Sequence, residues 1–554
     1  MMLSEPVIGE RFFGRDDVLD LLKKRVSALI DGYRQNVALT GQNLAGKSSI
    51  LHHFLNAFQD NRVLPIYVEV TDEPFFYFAR RFVGSLLYNF LKSKGRDPKE
   101  DYASLIEESR AHIPATARAI LEIEESIKRN DLDDAYSRLF DLTATVKEET
   151  GRSCVIILDE FHNLASLRVR HPFKNFGKKI MIQKDTMYIV TSSQVTTVKR
   201  ILNEKLSLLF GNFEIIDIRG FSPRNAGSFL DQRFRYLRVP DELKRFIIAF
   251  TEGNPFYLDV LGQAVKDIVT AMTFKRISNK VIIEALERTI FNSKGCIFQY
   301  LNNTLESLKR THSQDLAISI LLSVANGSCR LKEISKTLKK RTGDISNRLA
   351  DLIELNIIYK NGSFYKFVDR MFGFWLKFVY QKKRSAILSY LPDRLRIFSD
   401  EMEDLIDAFL LEEKKDIFSR INRLFGLFGN ETVVISEKEY KLPAFASVET
   451  RLFDSGTPYI IAKSGKHHWI VAVGQHELKD IDIMELTERS KALKLKIQKK
   501  IFIAPAGIEM NANLMAKEEH MWIWGLDDLS ELMALYGNYP IVKPVYPEGA
   551  TGTT

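Results

Sequence analysis

The chain has 554 residues, more than the roughly 100–200 residues of a typical domain, so we expect three or four folded units. Its apolar content of 45% and its charged content of 27% are ordinary for a soluble globular protein, and its net charge of +8 is modest for this length but unevenly placed. No apolar run approaches the roughly 20 residues of a membrane helix, and the N-terminus lacks the apolar core of a signal peptide. We therefore expect a cytoplasmic protein without membrane contact.

The three cysteines are widely separated in the chain, at Cys154, Cys296 and Cys329. This spacing predicts neither a disulfide framework nor a zinc cluster. Cys154 opens an apolar run and is expected to be a small residue of the core.

The first part of the chain alternates between strand-like and helix-like segments. A helix, DDVLDLLKKRVSALIDG, follows the segment FFGRDD, and from Asn36 the order is NVALTG, SSILHHFLNAF, VLPIYVEV and FFYFARRFVGSLLYNFL. This alternation predicts a parallel sheet covered by helices. Residues 96–135 are polar and helical in pattern, and we expect them to form a surface insertion that adds nothing to the core.

The segment GQNLAGKSS fits the Gly-x-x-x-x-Gly-Lys-Ser/Thr pattern of loops that hold nucleotide phosphates, and it lies between an apolar strand and a helix. Lys47 is expected to reach the terminal phosphates, Ser48 to bind Mg²⁺, and Gly41 and Gly46 to allow close backbone approach. The alternative is a chance turn rich in Gly and Lys. The candidate phosphate-binding residues are Gly41, Gln42, Asn43, Leu44, Ala45, Gly46, Lys47, Ser48 and Ser49.

A continuous apolar run, CVIILDEF, ends in two acids, as a buried parallel strand with functional residues at its carboxyl end would. Asp159 is expected to hold Mg²⁺ opposite Ser48, and Glu160 to orient or deprotonate the attacking water. The alternative is that both acids only cap a helix.

The next strand, MYIVTSSQ, ends in small hydroxyl residues. Ser192 and Ser193 are expected beside the two acids, where they could sense the terminal phosphate; the alternative is a plain turn. The strand FEIIDIRGF closes the sheet near Phe221, so residues 1–221 form the predicted nucleotide-binding core. Residues 222–305 follow as a predicted helical lid, with Ser222 capping its first helix.

Residues 306–384 show the order helix, helix, helix, hairpin, which is that of a winged helix-turn-helix, with the hairpin turning at Asn361-Gly362. Between Arg330 and Arg384 there are 14 Lys and Arg residues against 5 Asp and Glu residues. Such a basic excess is typical of a surface that meets phosphate backbone, so we expect binding to double-stranded DNA. The alternative is a winged helix used for packing, protein partners or a homo-oligomer. The candidate DNA-binding residues are Lys339, Lys340, Arg341, Asn347 and Arg348.

The rest of the chain is predicted to hold a helical linker at 385–429, a second α/β unit at 430–545 and a flexible tail at 546–554. The tail is rich in Pro, Gly and Thr.

The motifs FFGRDD, GQNLAGKS, CVIILDEF, VTSS and EGNPFYL, in this order, resemble the archaeal-type ATPase family, a STAND-like branch of the AAA+ P-loop proteins. The resemblance covers roughly residues 5–385. It implies ATP and Mg²⁺ as cofactors, Gly14 and Arg15 at an adenine pocket, and Pro255 of the Gly-x-Pro turn facing the nucleotide from the lid. It also implies an α/β fold of AAA+-like P-loop NTPase type with a helical lid, a winged helix-turn-helix and a C-terminal restriction-endonuclease-like domain.

Two departures from the family pattern have functional consequences. Asn212 stands where members commonly carry an arginine that accelerates hydrolysis, so we expect slow turnover or an arginine from elsewhere. The nuclease fold needs an Asp on one strand and Glu-x-Lys on the next. Here Pro458 or Tyr459 falls at the Asp position, and Val473 and Gln475 fall where Glu and Lys belong, so we expect a catalytically silent domain.

The sequence therefore predicts a switch that binds and slowly hydrolyses ATP and couples its nucleotide state to DNA or partner binding through the winged helix. One alternative is a DNA-binding initiator or regulator in which ATP is mainly structural. Another is an ATP-dependent nuclease.

Overall fold

The computed structural model describes residues 5–58, 60–206, 213–272, 276–308, 314–384, 391–453 and 458–539. Asn212 and residues 546–554 lie outside these ranges, so the predictions about the absent arginine and the tail remain predictions. The chain forms two compact units, Met1–Phe221 with Asn254–Phe256, and Ser222–Gly253 with Tyr257–Thr554. None of the helices in the described ranges has the length and apolar character needed to cross a membrane.

The first unit alternates strands and helices. In chain order its described elements are α1 (Asp16–Ile30), β1 (Asn36–Thr40), α2 (Lys47–Ala57), β2 (Val63–Glu69), α3 (Phe75–Ser93), α4 (Tyr102–Arg110), α5 (Pro114–Lys128), α6 (Leu132–Thr150), β3 (Ser153–Asp159), α7 (Pro172–Ile182), β4 (Thr186–Ser192), α8 (Val195–Arg200) and β5 (Phe213–Asp217).

The five strands form one parallel sheet in the order β2-β3-β4-β1-β5, which confirms the predicted α/β P-loop NTPase fold with a parallel sheet. Every residue of β3 is buried. Successive side chains of a strand point to opposite faces, so Cys154 and Ile156 join one hydrophobic cluster while Val155 and Ile157 join the other. A strand buried on both faces reads as an unbroken apolar run, as CVIILD does.

The prediction that residues 96–135 add nothing to the core is wrong. They are helical, as expected, but α5 buries Ala117, Ile120 and Ile123, and the two isoleucines join the same hydrophobic cluster as Cys154 and Ile156 of β3. These apolar side chains recur at helical spacing among Glu and Lys residues, so the overall polarity of the segment hides one apolar stripe.

The second unit begins with helices and contains one short hairpin in its middle part. Its described elements up to the second sheet are α9 (Pro223–Arg233), α10 (Asp241–Thr251), α11 (Pro255–Ala271), α12 (Asn279–Leu286), α13 (Cys296–Leu308), α14 (Gln314–Ala325), α15 (Leu331–Leu338), α16 (Thr342–Glu354), β6 (Ile358–Asn361), β7 (Phe364–Phe367), α17 (Arg370–Trp375), α18 (Gln381–Arg384), α19 (Leu391–Glu413) and α20 (Ile417–Phe425).

Local signals in the sequence determine several of these boundaries. The Ser222 hydroxyl accepts a hydrogen bond from Asn225 N at 3.3 Å and caps α9 as predicted. Strands β6 and β7 pair antiparallel, with Asn361 opposite Phe364, so the hairpin turns where the sequence indicates. Three helices, α14 to α16, precede this hairpin.

Helix α19 packs against α10 within the second unit, and α20 buries Ile417, Ile421 and Leu424. Arg245 of α10 donates to the Glu413 carboxylate at 2.7 Å, and the rings of Phe246 and Phe409 lie 5.5 Å apart. The segment predicted as a linker at 385–429 is therefore a packed part of this unit in its described residues.

The last part of the second unit is a mixed α/β region. Its described elements are β8 (Glu431–Ile435), β9 (Lys438–Leu442), β10 (Ser447–Leu452), β11 (Pro458–Ser464), β12 (His467–Val473), α21 (Asp480–Ala492), β13 (Ile497–Ile503), α22 (Met510–Glu518), β14 (Trp522–Trp524) and α23 (Leu526–Leu535). Strands β10 to β14 form one sheet in chain order, antiparallel from β10 to β12 and parallel from β12 to β14. Strands β8 and β9 form a separate hairpin.

Candidate functional site

The loop between β1 and α2 has a backbone that only glycine fits at two points. A Cβ atom at Gly41 would overlap the backbone carbonyl group of Ile218. Ile218 is held in this place by its backbone N–H, which donates to Thr40 O at 2.6 Å. Gly46, which precedes the first residue of α2, has a φ of 97°. The loop therefore holds the start of α2, with its exposed N–H groups and positive dipole end, close to the end of β1.

Lys47 is a buried cation inside this loop. The residue is 5% exposed, and Nζ donates to the carbonyl oxygens of Gly41 at 2.9 Å and Gln42 at 3.0 Å. Burial lowers the pKa of Lys47, while Glu160 and Asp159 act against that shift. The two acids thus lie near enough to affect the ammonium group. A buried ammonium group in such a loop favours an anionic ligand.

Asp159, the last residue of β3, is 3% exposed and hydrogen-bonded through both carboxylate oxygens. The Tyr67 hydroxyl donates to its Oδ2 at 2.8 Å, and Thr191 Oγ1 and the backbone N of Glu160 donate to its Oδ1. Burial, followed by the charge of Asp159, raises the pKa of Tyr67, so the phenol stays protonated and keeps donating. Neighbours from β2 and β4 therefore hold the carboxylate in one orientation.

Glu160 has a left-handed backbone, with φ 52° and ψ 45°. Its Oε2 accepts hydrogen bonds from Ser193 N at 3.0 Å and Ser193 Oγ at 2.9 Å, and His162 Nδ1 lies 3.3 Å away. His162 Nδ1 is also 2.9 Å from Ser192 Oγ. Burial lowers the pKa of His162, with a smaller opposing effect of Glu160, so the ring is neutral at pH 7. Ser193 therefore contacts Glu160 directly, and Ser192 contacts the neighbouring His162.

The strand order brings these residues together. Strand β4 lies between β1 and β3, with Ser192 opposite Thr40 and Val190 opposite Leu158. All three strands run in the same direction, so the residues that follow their last positions meet at one edge of the sheet.

Arg15 and Pro255 lie against the loop, and Gly14 lies near Phe221. Arg15 donates from Nη2 to Ala45 O at 3.3 Å and to the carbonyl oxygen of Arg219, and its guanidinium lies 4.9 Å from the centre of the Phe221 ring. A Cβ at Gly14 would come within 3.8 Å of the same ring, and one at Gly46 within 3.8 Å of Pro255 Cγ. Arg15 therefore ties the loop to the segment after β5.

The other predicted loop residues have less distinctive surroundings. Gln42, Leu44, Ser48 and Ser49 are half-buried, Asn43 is exposed and Ala45 is buried. Ser49 Oγ accepts a hydrogen bond from Val7 N at 3.0 Å, which anchors the N-terminal segment to α2.

The donor set fits a magnesium nucleotide. The residues described here include no group of three or more His, Cys, Asp or Glu side chains able to hold a metal ion by themselves. Mg²⁺ is commonly bound through one or two protein oxygens, with water and substrate phosphates completing its shell. One carboxylate at Asp159, one hydroxyl at Ser48 and a cationic loop agree with that pattern.

The five predicted DNA-binding residues divide into two groups. Lys339, Lys340 and Arg341 form the exposed turn between α15 and α16, and Asn347 is exposed on α16. Arg348 is half-buried and pairs with Asp351 at 2.8 Å, so its guanidinium is already engaged with a carboxylate. Four of the five predicted residues are therefore accessible from solvent.

Sequence reasoning did not identify Tyr67 and His162 as parts of the site. Tyr67 lies within β2 and reaches Asp159 across 92 chain positions. His162 follows Glu160 by two positions, and a histidine so close to two acids was the one available signal. Neither side chain belongs to a motif of its own.

Comparison with known proteins supports the identity of the first unit. Residues 11–171 match the family model of the AAA ATPase domain, so this part of the chain is an AAA ATPase-type domain. Curated proteins gave no match.

Similar solved structures include a Walker-type ATPase of Pyrococcus abyssi, with 19% identity and a TM-score of 0.44 over 68% of this chain and 98% of the other. The ORC2 protein of Aeropyrum pernix has 13% identity and a TM-score of 0.41 over 69% and 98% of the two chains. The ORC1 protein of the same organism, solved in complex with DNA, has 14% identity and a TM-score of 0.36 over 66% and 92%. Identities and TM-scores this low transfer no ligand or activity to this chain.

Gly41→Ala should destabilise the first unit by about 1–3 kcal/mol, because the new Cβ would overlap the Ile218 carbonyl and force the loop to shift. Gly84→Ala is the matched control: it lies in α3 with open space around it, and should be neutral or stabilising by up to about 1 kcal/mol. Thermal unfolding of both variants measures the difference. Equal stability would show that the loop does not need glycine here.

Proposed function

We propose that this protein binds ATP with Mg²⁺ and hydrolyses it slowly, and that its nucleotide state controls the binding of double-stranded DNA by the second unit. The observation that carries the ATPase proposal is the meeting of a buried lysine with two acids at one edge of the sheet. Lys47, Asp159 and Glu160 lie at the ends of β1 and β3 or in the segments that follow them, and each is held by hydrogen bonds.

In this proposal Lys47 and the backbone N–H groups of the loop bind the phosphates, and Ser48 and Asp159 hold Mg²⁺. The metal ion, when bound, neutralises negative charge on the phosphates. Glu160 orients the attacking water and accepts its proton. Gly14, Arg15 and Pro255 contribute to an adenine pocket, and this preference for ATP rests on the resemblance to the archaeal-type family.

The contacts of Glu160 support slow turnover. Its Oε2 is occupied by two hydrogen bonds from Ser193 and lies close to His162. A water molecule held through Oε2 would have to share or exchange these partners. Ser192 and Ser193 would thus report on the terminal phosphate by positioning the acid.

Two side-chain bonds inside the second unit connect the start of α11 and the end of α10 with the segment after the hairpin β6–β7. Helix α11 begins at Pro255, and its Tyr257 hydroxyl donates to Asp369 Oδ2 at 2.5 Å. Asp369 caps α17, directly after the hairpin β6–β7, and the neighbouring Arg370 pairs with Glu252 at 3.0 Å. A change in the position of Glu252 or Tyr257 would therefore be felt by the segment that directly follows the hairpin.

The exposed basic turn between α15 and α16 supports DNA as the ligand of the second unit. Lys339, Lys340 and Arg341 precede a helix that also exposes Asn347, and they lie where phosphate contacts would position that helix in a groove. Cleavage of DNA is not part of the proposal, because β11 begins at Pro458 and β12 ends at Val473, without the acids that the reaction needs.

Lys47→Ala should abolish ATP binding, whereas Glu160→Gln should preserve binding and reduce hydrolysis by about 10²–10⁴-fold, since it removes only the general base. Nucleotide titration and steady-state phosphate release measure the two steps. Lys178→Ala, at an exposed lysine of α7, is the control and should change neither. Full hydrolysis by the Lys47 variant would disprove the assignment of the nucleotide site. Full function of the Glu160 variant without hydrolysis would indicate that ATP has mainly a structural role.

A triple charge reversal, Lys339→Glu with Lys340→Glu and Arg341→Glu, removes the positive charge of the exposed basic turn. It should weaken duplex binding and lower the slope of log affinity against log salt by up to about 2.7, at about 0.9 per phosphate contact. Duplex titrations at several salt concentrations measure both effects. The control reverses three exposed lysines elsewhere in the second unit, Lys266, Lys280 and Lys414. An equal loss in both triple variants would indicate a general charge effect and not a binding surface.

Asp369→Asn should change the pH dependence of stability. Burial raises the pKa of the Asp369 carboxyl group to about 6. Folding then takes up a proton between about pH 4 and pH 6, so this group makes the protein less stable as pH rises through that range. The variant should gain up to about 3 kcal/mol relative to the wild type between pH 4 and pH 7. Denaturant unfolding at pH 4 and pH 7 measures this gain, and Asp344→Asn is the exposed control. The same difference in stability between variant and wild type at both pH values would contradict the prediction.

A further inference from the structure

The hairpin β6–β7 is joined to strand β8 through the side chain of Asn361. All three strands belong to the second unit. Asn361 is 7% exposed; its Nδ2 donates to Val434 O at 2.6 Å, and its Oδ1 accepts from Val434 N at 2.7 Å. The amide group thus pairs with one residue of β8 as a neighbouring strand would, and it fixes the hairpin on β8.

The turn of the hairpin touches the backbone of β8. Gly362 has a φ of 58°, and a Cβ atom there would overlap the carbonyl group of Thr432. Phosphate backbone could not occupy the volume that Thr432 fills beside this turn.

An ion pair with a buried carboxylate reinforces the contact. Arg330, which precedes α15, pairs with Glu431 of β8, whose side chain is 7% exposed. Glu431 also accepts hydrogen bonds from the Tyr536 hydroxyl at 2.7 Å and from Gly429 N at 2.8 Å. The Arg330 guanidinium lies 4.4 Å from the centre of the Phe364 ring in β7. Because the carboxylate is well satisfied, separating the two parts would leave a buried charge without its partners.

The hairpin carries charge that suits DNA. Lys360 is exposed and Lys366 is half-exposed on β6 and β7, directly after helix α16 in the chain. A duplex bound by α16 would lie near a free hairpin. Because β8 lies against the turn, the hairpin β6–β7 is kept from contacting the duplex.

We propose that the β8–β9 hairpin is an intramolecular inhibitor that holds the hairpin β6–β7 away from duplex DNA. Displacement of the β8–β9 hairpin adds Lys360 and Lys366 to the binding surface formed by the turn before α16. This inference rests on the proposed binding of DNA and names the regulation of that surface.

The test compares the full-length wild type with Asn361→Ala, which removes both bonds to Val434 and leaves the charge unchanged. The variant should bind a duplex of about 20 base pairs, a length of about two helical turns, more tightly. Its salt slope should be steeper by up to about 1.8, because two more phosphates are contacted at about 0.9 each. Adding Lys360→Glu and Lys366→Glu to the variant should remove the gain.

Asn422→Ala is the matched control, because it removes a hydrogen bond to Thr450 Oγ1 at 2.7 Å from a different helix, α20. Hydrogen exchange of residues 431–435 verifies that the Asn361 variant is folded and that β8 is loosened. Duplex binding with the same slope in the wild type and the folded Asn361 variant would overturn the inhibitor and leave the proposed function intact. Absence of duplex binding in both proteins would overturn both proposals.

Discussion

The Lys47 ammonium group is buried in the loop that carries it, and the rest of the candidate site is arranged around that charge. Two loop carbonyl groups bind it, and Asp159 and Glu160 lie close enough to oppose the loss of its proton. A cation in such a place is costly without negative partners. The parallel sheet supplies them, because the ends of β1 and β3 meet at one edge with β4 between them.

The acids are held by residues outside the recognisable motifs. Tyr67 and Thr191 bind Asp159, and Ser193 and His162 surround Glu160. This network holds the two adjacent carboxylates differently, since Asp159 is fixed by β2 and β4 and Glu160 by the segment after β4. The same logic extends to the second unit, where Tyr257–Asp369 and Asn361–Val434 join elements that are distant in the chain.

Much of the first unit was predictable because its signals are local. The apolar run CVIILD predicts a strand buried on both faces, and the glycine loop predicts the turn between β1 and α2. The helical segment 96–135 was misjudged, because its many charged residues concealed the stripe that includes Ala117 and Ile120. Average polarity describes a whole segment, whereas burial depends on one face of a helix.

The sequence by itself determined the loop, the two acids at a strand end, the alternation of strands and helices and the position of the hairpin turn. Each of these depends on residues that are neighbours in the chain. Only the tertiary structure decided that Tyr67 orients Asp159, that Arg330 pairs with Glu431 and that β8 covers the hairpin at Gly362. Such pairings depend on strand order and on packing between distant segments, which local patterns of residues do not encode.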